Sequence, residues 1–258
     1  MAVKVEKKES IAILKLNRPK SYNAINMDMA LRLSEELIAI SDDPKIDGVI
    51  ITGEGDAFCA GGDLRWIAEQ GDDYYATFYS IVSEFHKAIK EIFCMEKPVV
   101  AVINGVASGG GLSLALCCDF RIMEKDAKLL FAYTSRGLSP DGGCSYMLPR
   151  IVGIAKALEI AAFDREISSE EALRIGLVTE VVEKGEGIKR AKEIINHINE
   201  KSPTFGTTKR LMYESFSSAF ESHLENERKT ISITSSLRYG KEGIRAFVEK
   251  RKPVYKKD

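Results

Sequence analysis

The sequence predicts an α/β core that runs into a helical C-terminal region. Three observations predict it. Short apolar runs alternate with longer stretches whose apolar residues recur every three to four positions, as strands do between helices. Two of the runs, residues 48–52 (GVIIT) and Val99–Ile103 (VVAVI), are each followed by a glycine-rich segment that opens into a helical pattern. Beyond Gly187 only the helical spacing remains.

Taken in order, Ile11–Leu16 (IAILKL) reads as a strand and Asn17-Arg18-Pro19 as the turn after it. Asn26 is placed to cap a helix, because its short side chain can accept from an N–H of the first turn. Ala30, Leu33, Leu37 and Ile40 then fall on one face of that helix. Residues 41–45 (SDDPK) have turn chemistry, and 48–52 form a buried strand ending at Gly53. Phe78, Val82, Phe85, Ile89 and Ile92 stay in register on a longer helix, and Pro98 marks the entry to Val99–Ile103. Residues 112–118 read as a buried helix, with short extended pieces at 119–123 and 128–131. Ser168 with Glu171 three positions on predicts a capping box, and Gly176 the stop of that helix. Residues 178–182 are a last short strand, and Ile188, Ala191, Ile194 and Ile198 form one stripe of a helix.

With 258 residues, 45% of them hydrophobic, the chain can bury a sizeable core as one large or two small domains. Its 37 basic and 38 acidic side chains cancel to a net charge of −1, which argues against a nucleic-acid partner held by a global basic field. Five cysteines, an odd number with no Cys-x-x-Cys pair, suit reduced thiols in a cytoplasmic protein. His86, His197 and His223 stand apart from one another and from the cysteines, so no metal is expected. The start, MAVKVEKKES, has no apolar signal core. The 21 uncharged residues between Lys97 and Asp119 have membrane-spanning length, but Asn104-Gly105 and Gly109-Gly110-Gly111 sit in their middle. Glycine there would weaken a spanning helix, and a strand, a turn and a buried helix are expected instead.

Three glycine motifs bear on chemistry. Residues 53–58 (GEGDAF) follow a strand as a dinucleotide loop would, but the third glycine is missing, which leaves an ordinary tight loop. Gly111-Leu112-Ser113-Leu114-Ala115 nearly matches a nucleophile elbow, yet Ser113 falls inside the helix, where a serine bonds its own backbone. The third is a matched pair, residues 58–64 (FCAGGDL) and 104–111 (NGVASGGG). Glycine leaves their backbone N–H groups uncovered, and a helix N-terminus adds partial positive charge. Two such segments can aim donors at one oxygen that becomes negative during a reaction.

At these residues the chain resembles the crotonase superfamily, the enoyl-CoA hydratases and isomerases. The resemblance runs from LNRP (16–19) and Asn23-Ala24-Ile25-Asn26 through FCAGGDL and AVINGVASGGGLSLALCCDFRI. It continues through GLSPDGGCSYMLPRIVG (137–153) and EALRIGLV (171–178) to AFVEKRKPVY (246–255). It implies a crotonase-like spiral of ββα turns over residues 1–200, with a helical trimerisation region over 201–258, and a homotrimer or homohexamer. It implies an acyl-CoA thioester substrate, coenzyme A being part of that substrate and no separate cofactor needed. Gly62 and Gly110 match the two oxyanion-binding glycines. Ala24, Ala60 and Leu64 match the CoA groove, and Phe247 and Lys250 match tail positions that touch CoA. Lys250 with Arg251, Lys252, Lys256 and Lys257 also reads as a solvated basic tail.

The chain departs from the hydratase pattern at both water-binding glutamates, whose places hold Ser113 and Tyr133. Asp141 in SPDGG sits where some family isomerases, including dienoyl-CoA and ring-epoxide enzymes, carry an acid. One acid can move a proton from carbon to carbon, whereas hydration must control a water as well. The expectation is therefore an enoyl-CoA isomerase with Asp141 as proton shuttle. A hydratase with a non-standard acid and a non-catalytic acyl-CoA-binding member are the alternatives. Asp141 also reads as a cap or Asx-turn before the next helix, and Asp63 as a helix cap. Ser113 and Tyr133 are expected to shape the pocket, Trp66 and Ile67 to line its acyl end, and Cys59 and Cys144 to be packing residues.

Overall fold

A hairpin opens the chain. In the computed structural model, which describes residues 1–201 and 203–255, β1 (Val3–Lys8) pairs antiparallel with β2 (Ile11–Leu16). The chain continues through α1 (Met27–Asp42), β3 (Gly48–Gly53), β4 (Ala57–Cys59), α2 (Leu64–Glu69) and α3 (Tyr74–Cys94). Next come β5 (Val99–Ile103), β6 (Val106–Ser108), α4 (Gly110–Cys117), β7 (Phe120–Glu124), β8 (Lys128–Leu130), α5 (Cys144–Val152) and α6 (Ile154–Phe163). Then follow β9 (Ile167–Ser168), α7 (Ser169–Arg174), β10 (Glu180–Val182) and α8 (Gly187–Lys201). The helical C-terminal region holds α9 (Phe205–Glu214), α10 (Phe220–Ser236) and α11 (Arg238–Val248).

Each turn of the spiral places one long strand in a six-stranded sheet of order β1-β2-β3-β5-β7-β10 and one short strand in a second sheet of order β4-β6-β8-β9. Three turns repeat this: β3 and β4, β5 and β6, β7 and β8, each followed by a helix. The stacking makes β4 the parallel neighbour of β6, and β6 of β8. The loops leaving β4 and β6 are therefore neighbours in space although about fifty residues apart in sequence.

The long strands are apolar throughout because both faces of the large sheet are covered. Ala12, Leu14, Val49, Ile51, Val99 and Ala101 face a core shared with α1 and α3. Ile11, Ile13, Ile50, Val100, Val102 and Ile122 face Ala191 and Ile195 of α8. On α8 the buried stripe is Ala191, Ile195 and Ile198, so Ile194 sits at its edge rather than in it. Residues 98–118 resolve into β5, β6 and α4, and among the described residues no helix is long and apolar enough to cross a membrane.

Several local expectations shift. The first helix extends through Asp42, taking in the start of the SDDPK turn. Asn26 does cap it, accepting from Met29 N at 3.0 Å. Only half of the Ser168 capping box forms: Ser168 Oγ accepts from Glu171 N at 3.3 Å, but the Glu171 carboxylate turns to Arg165 at 2.6 and 2.7 Å. A bidentate guanidinium outcompetes a neutral N–H for a carboxylate. Strands β1, β4, β6 and β9 carry no legible sequence pattern: β1 alternates charges and the others have only two or three residues each.

A buried ion pair helps to tie down the helical region. Lys209 of α9 donates to Asp119 Oδ2 and to Ile92 O, both at 2.9 Å, with both side chains at most 5% exposed. Beyond it α10 buries no residue, and Phe220, Ile231, Ile244 and Phe247 are exposed. Lys256 and Lys257 lie outside the described residues.

Candidate active site

The site is built from three backbone segments. Asn23, fully buried, accepts from Arg18 N at 2.8 Å and donates to Glu54 O and Ala57 O at 3.0 and 2.8 Å, which fastens the turn after β2 to the approach to β4. The chain from Tyr22 to Ile25 then runs beside the loop after β4. Ala60 N donates to Tyr22 O at 3.0 Å, Ile25 N to Gly61 O at 2.7 Å, and Asp63 N to Ile25 O at 2.9 Å. Asp63 caps α2 by accepting from Trp66 N at 3.1 Å, and its other oxygen pairs with Arg18 at 2.8 Å.

The loop after β6 meets this one backbone to backbone. A Cβ on Gly61, whose φ is +90°, would stand 2.7 Å from Ser108 O and 3.2 Å from Gly110 N. Only glycine combines that dihedral with that approach. Gly109, with φ +52°, turns the chain into α4, whose first residue is Gly110. Among the described residues, the backbone N–H groups of Gly62 and Gly110 find no backbone or side-chain acceptor.

Gly62 and Gly110 line one narrow cavity of about 30 Å³ together with Ile25, Ile67, Phe78, Ile81, Val82, Phe85 and Asp141. Asp141 is the single titratable side chain in that lining. Asp141, Phe78 and Val82 also border a wider cavity of about 490 Å³, with Tyr74, Tyr75, Tyr79, Tyr133, Leu138, Ser139 and Pro140. A cleft of about 660 Å³ between α9, α10 and α11 contains neither glycine loop nor Asp141.

Asp141 is not a helix cap. Gly143 holds the cap position of α5 without a side-chain bond, and Asp141 Oδ1 instead accepts from Tyr133 OH at 2.6 Å. Burial pushes its carboxyl above the ordinary carboxylate range; the Tyr133 hydrogen bond and His86 draw it part of the way back. Burial, then the Asp141 charge, pushes the Tyr133 phenol far above its ordinary value, so it remains a donor. The phenol oxygen lies 2.8 Å from Ser113 Oγ, and Ser113 Oγ lies 3.2 Å from Gly109 O. His86 Nε2 accepts from Gly142 N at 3.1 Å and holds the turn that carries Asp141.

Of the residues singled out from sequence, Gly62, Gly110 and Asp141 share the narrow cavity, and Tyr133 lines the wide one. Ser113 lines neither; it is fully buried behind Tyr133. Ile67 lines the narrow cavity but Trp66, half-buried beside it, lines neither. Ala24 is buried and Ala60 half-buried where the two loops run together, and Leu64 is 41% exposed at the start of α2. Phe247 and Lys250 are exposed at the end of α11 and line neither cavity. Cys59 and Cys144 are fully buried, and burial pushes both thiols up to about 12, which leaves them packing groups. Reasoning from sequence passed over His86, Ile25 and the tyrosines of α3. Tyr75 and Tyr79 did carry a signal: four apart on the solvent side of an amphipathic helix, their rings stack at 6.0 Å with no core to enter.

Comparison with known proteins gives a consistent result. A sequence model of the enoyl-CoA hydratase/isomerase family matches residues 6–258. The crotonyl-CoA hydratase of Syntrophomonas wolfei subsp. wolfei is 35% identical over 250 residues, 96% of this chain and 95% of that protein. The 1,2-epoxyphenylacetyl-CoA isomerase of Escherichia coli K12 is 31% identical over 251 residues, again 96% and 95%. The crystal structure of an enoyl-CoA hydratase from Polaromonas sp. JS666 superposes with a TM-score of 0.91 at 34% identity, over 99% of this chain and 100% of that one.

Proposed function

Because the chain belongs to the enoyl-CoA hydratase/isomerase family, we propose that it is an isomerase that moves the double bond of a 3-enoyl thioester into conjugation with the carbonyl. One observation carries this reading: the cavity that holds both free glycine N–H groups contains a single titratable side chain, Asp141. The thioester oxygen lies between Gly62 N–H and Gly110 N–H. Asp141 takes a proton from C2, the C2–H pair spreads over the carbonyl and the C3–C4 double bond, and the charge rests on the held oxygen. Asp141 then returns the proton to C4, leaving the double bond between C2 and C3. No water is consumed, and one carboxyl suffices for both transfers.

Water addition is the second reading, favoured by relatives that bear hydratase names. Against it, Tyr133 and Ser113 stand where the resemblance places the hydratase glutamates, where they hydrogen-bond each other and Tyr133 alone donates to Asp141. A fixed phenol that stays protonated does not activate water. The remote acyl group fits the wide cavity beyond Asp141, and the exposed apolar residues of α10 and α11 fit a homotrimer or homohexamer. Phe247 and Lys250 fit the same assembly, as groups offered to coenzyme A across a subunit contact.

The test is to assay the purified protein on 3-enoyl-CoA and 2-enoyl-CoA side by side. Faster bond shift than hydration is the expected result, and hydration outpacing it overturns the assignment. Gly61→Ala probes the amide pair. Its Cβ would sit against Ser108 O at an unfavourable φ and part the two loops, so turnover is expected to fall by about 10²–10³-fold, as for loss of one oxyanion donor. Near-normal turnover would show that the loops tolerate separation.

A further inference from the structure

We infer that Ser113 and Tyr133 are positioning residues that couple the base to the oxyanion-binding peptide, so that the proton state of Asp141 sets how strongly Gly110 N–H donates. This rests on the roles proposed above for Asp141 and Gly110. The connection is continuous: Asp141 Oδ1 to Tyr133 OH at 2.6 Å, Tyr133 OH to Ser113 Oγ at 2.8 Å, Ser113 Oγ to Gly109 O at 3.2 Å. Gly109 C=O and Gly110 N–H belong to one peptide unit. A donor on the carbonyl draws electron density from the nitrogen and makes the N–H a stronger donor.

Proton counting makes this a switch. Tyr133 has one hydroxyl hydrogen, and at 2.6 Å it is committed to the carboxylate. The 2.8 Å contact is then a hydrogen bond donated by Ser113. Ser113 also has one hydrogen, and the phenol oxygen and Gly109 O are both in reach with the Cys144 thiol beside them, so it serves one oxygen at a time. It is fully buried, so no bulk water competes for it.

While Asp141 is an anion it pulls hard on the phenol hydrogen, the phenol oxygen gains electron density, and the Ser113 hydroxyl turns to it. When Asp141 has taken the proton from C2 the pull weakens and the hydroxyl turns to Gly109 O. At that moment the negative charge has moved to the thioester oxygen beside Gly110 N–H. No bond beyond the hydroxyl rotor has to move, and the oxyanion donor strengthens when its acceptor becomes charged. Tyr133 also occupies Oδ1, which assigns proton transfer to Oδ2.

Three variants test it: Tyr133→Phe, Ser113→Ala and the pair, each checked for unchanged thermal unfolding. The readouts are the pH profile of kcat and the enolate absorbance of a bound 3-ketoacyl-CoA. In Tyr133→Phe the carboxylate loses a charge-assisted hydrogen bond. The acid limb is expected to move to higher pH and kcat to fall about ten- to a hundredfold, with KM little changed. In Ser113→Ala the limb is expected to move the same way by less, and the enolate fraction to fall about two- to fivefold. In the Tyr133→Phe background, Ser113→Ala is expected to leave the limb where it is, because its route to Asp141 is already cut. A Ser113→Ala protein with an unchanged limb and enolate band, or a pair whose limb shifts add, makes Ser113 a packing residue and overturns the coupling. A wild-type protein that shifts no double bond overturns the isomerase reading instead, and the enolate band still reports on the coupling.

Discussion

Asp141→Asn is expected to lower the rate of the bond shift by about 10²–10⁴-fold while raising the melting temperature at neutral pH. The amide has the shape of the carboxylate and still offers an oxygen to Tyr133 OH, but it cannot take the proton from C2. The gain in stability follows from the direction of the carboxyl's shift. Burial raises it above its ordinary 3.8, so the folded chain binds that proton more tightly than the unfolded chain. The resulting stabilisation is full below 3.8 and is lost as pH rises through the higher folded value. At neutral pH the cleft holds an ionised group that it would rather hold neutral, and asparagine removes that cost. By the same sign, wild-type turnover falls as pH drops through the raised value, where the base becomes protonated. Rate profiles against pH and thermal unfolding of both proteins check each part. Near-normal turnover in the variant would remove Asp141 from the proton transfer, and a lower melting temperature would show that burial does not strain the carboxylate.

Lys209→Met is expected to destabilise the fold by about 3–5 kcal/mol, the usual cost of breaking a buried ion pair from one side. For a chain of this length that is a fall in melting temperature on the order of ten degrees. Asp119 is left in the interior with the hydrogen bond from Val99 N, at 2.8 Å, and the more distant Arg121 charge. Burial already pushes its carboxyl above the ordinary range against the pull of Lys209. Adding Asp119→Asn is expected to recover much of the loss, since a neutral amide keeps an acceptor for Val99 N and needs no counter-ion. Denaturant unfolding of the single and double variants measures both. If the double variant is no more stable than the single one, the loss comes from packing around Lys209 and not from a stranded charge.

The two glycine loops show how far local pattern reaches. Each was legible alone as a strand followed by glycine and a helix, because apolar runs and glycine have local meaning. That their free amides meet was legible only through family resemblance. The meeting depends on β4 lying beside β6, two three-residue strands too short to carry a pattern of their own. Asp141 could be picked out through the family resemblance, but its hydrogen bond to Tyr133 joins side chains on two separate turns that share no periodicity. The same holds for His86, which reads as an isolated histidine until the turn at Gly142 folds against it and donates to its ring.

From sequence alone come the alternation of strands and helices, the caps at Asn26 and Asp63 and the glycine loops, because each is set by neighbours within a few positions; the absence of both hydratase glutamates is legible there only through the family resemblance. Tertiary structure alone decided that Ser113 lies behind Tyr133 instead of in the cavity, that Ile67 and not Trp66 lines it, and that Lys209 finds Asp119 ninety residues away. Those outcomes depend on how close packing brings distant segments into contact, and no local propensity encodes that.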